Sequence, residues 1–145
     1  MSSIKIISVN ISKEKGTVKQ PVDQIEITDS GVANDAHAGD WHRQVSLLAI
    51  ESIDKMRAAG LDVGPGDFAE NLTTQGVNLY TLPVGTRLRV GVSVLLEMTQ
   101  IGKECHDRCA IYHQAGDCVM PKEGVFARVL KSGRIACGDE IEQLY

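Results

Sequence analysis

Apolar and polar residues alternate along several short stretches of the chain, and this pattern predicts a protein built mainly of β-strands. The stretches Ile4–Ile11 and 22–27 are rich in β-branched residues and follow the period-two pattern of a strand. Similar stretches follow at 87–90, 94–99, 125–130 and 134–136. We expect the last two to pair as a hairpin around a short Lys-Ser-Gly turn.

One segment has the helical period instead. Residues 43–48 could form a short strand that leads into a helix. Residues 46–57 place Leu48, Ser52 and Met56 at four-residue steps on one face, which predicts a helix that ends near Gly60. Many short strands with one helix favour a mainly β fold, a closed or nearly closed β-barrel, because closure protects strand edges. No repeat or linker is visible in the sequence, so we expect residues 1–145 to form a single domain.

Composition narrows the classes of function. The chain has 145 residues, 43% of them hydrophobic, and a net charge of -4, which gives no basic signal for nucleic acid or anionic lipid. No apolar run is long enough to span a membrane, and the N-terminus resembles a first strand rather than a signal peptide. We therefore expect a cytoplasmic protein, in which the four cysteines are thiols, ligands or nucleophiles rather than disulfides.

Three of the four cysteines lie in the run 101–118. Cys105 follows a predicted strand and has Lys103 and Arg108 close by in the sequence. Positive side chains near a thiol favour its thiolate form. A thiolate at a strand end could carry sulfur as a persulfide or bind a thiophilic metal, whereas the alternative is a cysteine that is simply packed.

Two further interpretations of the cysteines stay open. Zinc takes four nitrogen or sulfur ligands, and Cys105, Cys109, His113 and Cys118 would supply such a set, with the first three on one face of a helix. Cys137 lies in a strand-like stretch, so we expect it to be a small buried side chain.

Two polar runs supply candidate binding residues. In the run 34–44, Arg43 is the best group for holding an anion with two hydrogen bonds, and His37 is a second candidate, although it could equally bond within a loop. In a second polar run, Asn71 and Thr73 could present donors and acceptors to a heterocycle or phosphate, or could form a turn between strands. No nucleotide-binding or nucleophile-elbow motif is present in the sequence.

The order and spacing of several runs resemble the MOSC domain, the module named after the C-terminal domain of molybdenum cofactor sulfurase, in its short stand-alone bacterial form. The resemblance covers nearly the whole chain, and no single run carries it. The runs are GDWHRQVSL at 39–47, GDFAENLT at 66–73, LPVGTRL at 82–88, QIGKECH at 100–106, and the tail at 116–139.

The resemblance implies a β-barrel with a few short peripheral helices and one functional cysteine after a long central strand, which falls on Cys105. In the family that thiol is proposed to carry sulfur for metal–sulfur centres, and in amidoxime-reducing relatives it ligates molybdenum. We therefore expect Cys105 to be the catalytic residue and metal ligand. The expected molybdenum cofactor-binding residues are His37, Arg43, Asn71, Thr73, Lys103 and Arg108.

The implied partners are a molybdopterin or metal–sulfur centre and a cysteine desulfurase or molybdopterin biosynthesis proteins. Larger relatives carry Arg-Pro-Asn where this chain has Ala69, Glu70 and Asn71, which replaces a cation with an anion. Pyridoxal phosphate is not expected, because no lysine has a recognisable Schiff-base context. The alternatives to a sulfur carrier are a zinc-stabilised interaction module and a molybdenum-dependent reductase of N-hydroxylated compounds.

Overall fold

The computed structural model describes residues 4–12, 18–35, 38–39, 44–102 and 123–144. Helix α1 covers Ile50–Ala58, and a 3-10 turn covers Leu79–Thr81. Within the described residues, no helix has the length and apolar composition that a membrane span requires. The strands are β1 (Ile4–Ile11), β2 (Gln20–Val22), β3 (Gln24–Thr28), β4 (Gly31–Val32), β5 (Val45–Ala49), β6 (Leu72–Gln75), β7 (Arg87–Val90), β8 (Val94–Ile101), β9 (Val125–Lys131), β10 (Gly133–Ala136) and β11 (Glu140–Leu144).

A closed seven-stranded barrel forms the centre of the fold, in the order β1-β6-β5-β9-β8-β7-β11. The barrel closes where β11 pairs with β1, with Ile4 opposite Ile141. Among the described strands, only β5 and β6 run parallel, and α1 lies in the connection between them, as a parallel pair requires a crossover connection. The structure confirms the β-barrel predicted from the sequence.

Alternation along the strands builds two apolar layers. Leu47, Leu72 and Val125 are fully buried in the main core cluster inside the barrel. Their neighbours Leu48 and Phe126 point to the opposite face, because successive side chains of a strand alternate between faces. On this outer face they pack in a second cluster with Ile53, Met56 and Phe68. Helix α1 therefore covers part of the outer surface of β5 and β9.

The predicted hairpin between the last two of those strand patterns is wrong. Strand β9 pairs with β8 and β5, whereas β10 leaves the barrel and pairs with β3 in a separate sheet, β10-β3-β4. The chain crosses closely over β8 at this point: a Cβ atom on Gly133 would lie 2.4 Å from Ser93 Oγ and 2.9 Å from Val94 Cγ2. A larger residue there would require the Ser93 and Val94 side chains to shift, so glycine suits the place where the chain leaves the barrel towards β3.

Other predicted boundaries differ in smaller ways. The predicted strand 22–27 is divided at Asp23, so that β2 extends the barrel and β3 belongs to the small sheet. The predicted helix begins at Ile50 rather than Ser46, because the buried residues before it form β5. Strands β4, β6 and β11 were not predicted.

Replacement of Gly66 by alanine should destabilise the fold strongly. Gly66 has φ +89°, and a Cβ atom there would lie 2.1 Å from the carbonyl oxygen of Lys19. Gly85 has a similar φ of +95° but open space around it, so Gly85→Ala is the matched control for backbone strain alone. We expect Gly66→Ala to lower the free energy of unfolding by about 2 kcal/mol more than Gly85→Ala, measured by urea denaturation. Equal effects of the two variants would contradict the close approach.

Candidate functional site

Most of the predicted site residues fall outside the part of the chain that the structure describes. Asn71 and Thr73 are the described members of the predicted set. No group of three or more His, Cys, Asp or Glu side chains in the described ranges is arranged to hold a metal ion. The site candidates outside the described residues are Cys105, Arg43, His37, Lys103 and Arg108, together with Cys109, His113 and Cys118 of the zinc alternative.

The strand ends that flank the cysteine-rich run lie next to each other. At the rim of the barrel Ile101 is opposite Val125, and the Gly102 N–H donates to the Gly124 carbonyl at 2.6 Å. The sequence places Cys105 three residues after Gly102. The long strand expected before the cysteine is present as β8. The run 103–122 therefore joins the barrel at two adjacent points of one rim.

A network of polar contacts ties helix α1 to this rim through Glu123. Ser52 Oγ donates to Glu123 Oε1 at 2.7 Å, and Lys55 Nζ lies 2.9 Å from both oxygens of the same carboxylate. Lys55 Nζ also donates to the Tyr80 hydroxyl at 3.3 Å. These bonds, first to Glu123 and then to Tyr80, raise the pKa of Lys55. The network fixes where the chain re-enters the barrel after the cysteine-rich run.

A second polar group, which we call the polar cluster, lies on the outer face of the barrel. Thr73 is opposite both Ser8 and Leu48 in the strand register, whereas Leu72 faces the core inside. All members are buried, although they are polar. The polar cluster consists of Ser8, Asn10, Ser46, Glu70, Asn71 and Thr73.

Asn71 joins three strands inside the polar cluster. Its Oδ1 accepts from the Ser46 N–H at 3.1 Å, and its Nδ2 donates to the Asn10 carbonyl at 3.2 Å. Its backbone N–H donates to the Ser46 carbonyl at 2.9 Å. Asn71 is 0% exposed. The side-chain amide of Asn71, which directly precedes β6, is therefore hydrogen-bonded to both β1 and β5.

Thr73 and Glu70 form the other half of the polar cluster. Thr73 Oγ1 donates to Glu70 Oε2 at 2.9 Å and accepts from Asn10 Nδ2 at 3.1 Å. The Phe68 N–H donates to Glu70 Oε1 at 3.3 Å. Glu70 and Thr73 are both 0% exposed. Like Asn71, Thr73 therefore has no polar atom turned to solvent, and its predicted contact with a cofactor stays a prediction.

Glu70 is the residue whose character the sequence did not reveal. Its carboxyl group is buried, and the loss of hydration raises its pKa to about 7, although nearby hydrogen bonds act in the opposite direction. Glu70, which the sequence comparison marks as an additional anion, is therefore buried within the protein. Below neutral pH its carboxyl group is mainly protonated and uncharged. A charged residue between Ala69 and Asn71 gives no pattern from which such burial could be inferred.

The residues that lead into the polar cluster, 64–70, adopt an unusual backbone. Ala69 has φ +62°, a left-handed conformation that costs a non-glycine residue about 1 kcal/mol or more. Gly66 packs against Lys19, whose Nζ forms a buried ion pair with Asp35 at 2.8 Å.

Cys137 is not the small buried side chain that was expected. Strand β10 ends at Ala136, and Cys137 lies exposed in the turn that follows. Its Sγ donates to the Ile7 carbonyl at 3.1 Å. The turn forms because Asp139 Oδ2 accepts from the Ala136 N–H, which ends the strand one residue before the cysteine.

Comparisons with known proteins agree with this architecture. A family model described as the MOSC domain matches residues 34–142. The chain is similar to the YuaD protein from Bacillus subtilis, with 19% identity, coverage of 99% of this chain and 97% of that chain, and a TM-score of 0.83. It is also similar to YiiM from Geobacillus stearothermophilus, with 20% identity, coverage of 98% and 75%, and a TM-score of 0.72.

YiiM from Escherichia coli is a further similar structure, with 20% identity, coverage of 100% of this chain and 70% of that chain, and a TM-score of 0.67. No curated protein sequence matches the chain. At these identities, the similarity to solved structures supports a shared fold.

The burial of Glu70 predicts an unusual dependence of stability on pH. Because its pKa is about 7 in the folded protein and near 4.5 when exposed, the folded state holds the proton more tightly. Protonation of Glu70 therefore contributes fully to the free energy of unfolding below pH 4.5. This contribution, up to about 3 kcal/mol, is lost as the pH rises to 7. Urea denaturation of Glu70→Gln should show no such loss in this window, whereas exposed Glu142→Gln should follow the wild type. An unchanged profile for Glu70→Gln would contradict the assignment.

Proposed function

Because the chain belongs to the MOSC domain family, whose model spans residues 34–142, we propose that it carries sulfur on the thiol of Cys105. The observation that supports this proposal most directly is the position of the cysteine in the sequence. Cys105 comes four residues after the end of β8, and the Gly102 N–H after that strand donates to the Gly124 carbonyl before β9. Loops that a rigid scaffold positions often carry binding and catalytic residues.

The sequence around Cys105 supplies the electrostatic part of the proposal. Lys103, His106 and Arg108 are neighbours in the sequence, and positive groups close to a thiol favour the thiolate, which is the nucleophilic form. The chain as a whole has a net charge of -4, so any stabilisation of the thiolate by these cations is a local effect. We propose that Lys103 and Arg108 stabilise the Cys105 thiolate.

The proposed step is a thiol–persulfide exchange. The Cys105 thiolate attacks the outer sulfur of a persulfide on a cysteine desulfurase. A new S–S bond forms on Cys105, the donor S–S bond breaks, and the donor cysteine leaves as a thiolate, so no external oxidant or reductant is required. In the second step a nucleophile of the acceptor attacks the outer sulfur, and Cys105 leaves as a thiolate. The exchange suits the cytoplasm, where thiols stay reduced.

The acceptor in this proposal is a molybdopterin or metal–sulfur centre, handled as cargo of the domain or held on molybdopterin biosynthesis proteins. His37, Arg43, Lys103 and Arg108 are the proposed contacts for its anionic groups. Among the described residues, the closed polar cluster does not fit a bound cofactor, because Asn71 and Thr73 already use their polar side-chain atoms within the protein. Their contact with such a cargo would require a rearrangement.

Transfer of labelled sulfur tests the proposal. The protein is incubated with a cysteine desulfurase and radiolabelled cysteine, and the label that reductant can release is measured. Wild type should acquire label, and Cys105→Ala should fall to the level of the reaction without carrier. Cys137→Ala is the matched control, because it removes an exposed thiol at another place in the fold and should keep the wild-type level. Equal labelling of Cys105→Ala and wild type would contradict the proposal.

A further inference from the structure

The side chain of Gln44 joins three separate parts of the chain, and the residue is buried, with 6% of its surface exposed. Its Nε2 donates to the carbonyl oxygens of Asp29 at 2.8 Å and Gly39 at 2.9 Å. Its Oε1 accepts from the Val129 N–H at 2.8 Å. A side-chain amide has two N–H donors, and both are used here. Gln44 therefore ties the residue before β5 to the barrel and to the small sheet.

The bonds of Gln44 hold the two residues that flank the run 40–43. The Gly39 N–H donates to the Ser30 carbonyl at 2.7 Å, and the Gly39 carbonyl accepts from Gln44. The backbone of Gln44 packs directly on Gly31, where a Cβ atom would lie 2.6 Å from the Gln44 carbonyl oxygen. The residues on either side of the run are therefore bonded to each other and held against the small sheet.

The bond to Val129 fixes Gln44 to the barrel wall at the point where β5 begins. The first register pair of β5 with β9 is Val45 with Ala127. Beyond this pair the Val129 N–H donates to the side chain of Gln44, which adds one hydrogen bond to the contact between the two strands. Gln44 is thereby fixed both to β9 and to the turn between β3 and β4.

The sequence places Arg43, a proposed contact for the anionic groups of the cargo, directly before Gln44. We propose that Gln44 is a positioning residue, which fixes both ends of the run 40–43 and thereby holds Arg43 for anion binding. This inference rests on the anion contact that the proposed function gives to Arg43. It does not depend on sulfur carriage by Cys105.

Fixed ends favour anion binding for two physical reasons. Ordering a free segment of chain on binding costs conformational entropy, and a segment whose ends are already held loses less of it. A guanidinium group also needs a defined orientation, because it holds an oxyanion with two parallel N–H donors. Gln44 therefore raises the anion affinity through Arg43, without itself contacting the anion.

Titration with inorganic phosphate, which represents the anionic groups of the cargo, tests the inference without using sulfur transfer. Trp41 is the only tryptophan of the chain and belongs to the run 40–43, so its indole N–H gives a distinct NMR signal for following binding. The dissociation constant is measured for wild type, Gln44→Met, Arg43→Ala and the double variant. Gln44→Met keeps the length of the side chain and removes all of its hydrogen bonds.

We expect Gln44→Met to bind phosphate about fivefold more weakly than wild type, and Arg43→Ala about tenfold more weakly. The double variant should match Arg43→Ala, because Gln44 acts only through Arg43. Thr86→Val is the control, since it removes the side-chain hydrogen bond of Thr86 to Pro83 at another place in the fold. It should keep the wild-type affinity.

A measurement on the wild type alone tests the inference even where Gln44→Met does not fold. The side-chain amide protons of Gln44 should exchange slowly with solvent, whereas those of the exposed Gln75 should exchange as a free amide does. Equal and rapid exchange of both side chains would overturn the positioning role.

Four titration results would also overturn it. They are the absence of saturable phosphate binding by wild type, an unchanged affinity of Gln44→Met, a double variant weaker than Arg43→Ala, and an equal loss in Thr86→Val. An unchanged affinity of Arg43→Ala would remove both the inference and the anion contact of Arg43. Sulfur carriage on Cys105 is decided separately, by the labelling of Cys105→Ala.

Discussion

The pairing of β1 with β11 is the contact on which the rest of the molecule depends, because it closes the barrel. Without the contact of Ile4 with Ile141, both strands would present open edges and the apolar interior would meet solvent. The interior is filled with apolar side chains such as Leu47 and Leu72. We therefore expect functional side chains at the rim and on the outer face of the barrel. The polar cluster lies on the outer face, and the described residues that flank the cysteine-rich run lie at the rim.

Helix α1 connects these two regions physically. At the rim, Ser52 and Lys55 bind Glu123, where the chain returns from the run that contains Cys105. On the outer face, Met56 belongs to the same apolar cluster as Phe68, whose N–H donates to Glu70. Helix α1 therefore contacts residues next to both regions.

The sequence predicted those features that depend on local periodicity. It identified the strand before Cys105 and the barrel class, because alternating apolar residues mark half-buried strands. It missed β6, since Thr73 and Thr74 are polar yet fully buried. It also assigned a hairpin partner to β10 wrongly, because strand pairing depends on close contacts such as that of Gly133. The burial of Glu70 arises from residues distant in sequence, so no local pattern could indicate it.

Sulfur carriage on Cys105 is the proposal on which the function of this chain rests. Native mass spectrometry of protein purified without reductant tests it most directly. We predict a species heavier by one sulfur atom that reductant removes, that persists in Cys137→Ala and that is absent in Cys105→Ala. A uniform zinc adduct on wild-type protein, with no sulfur-bearing species, would contradict sulfur carriage on Cys105 and favour a structural metal site at the cysteines.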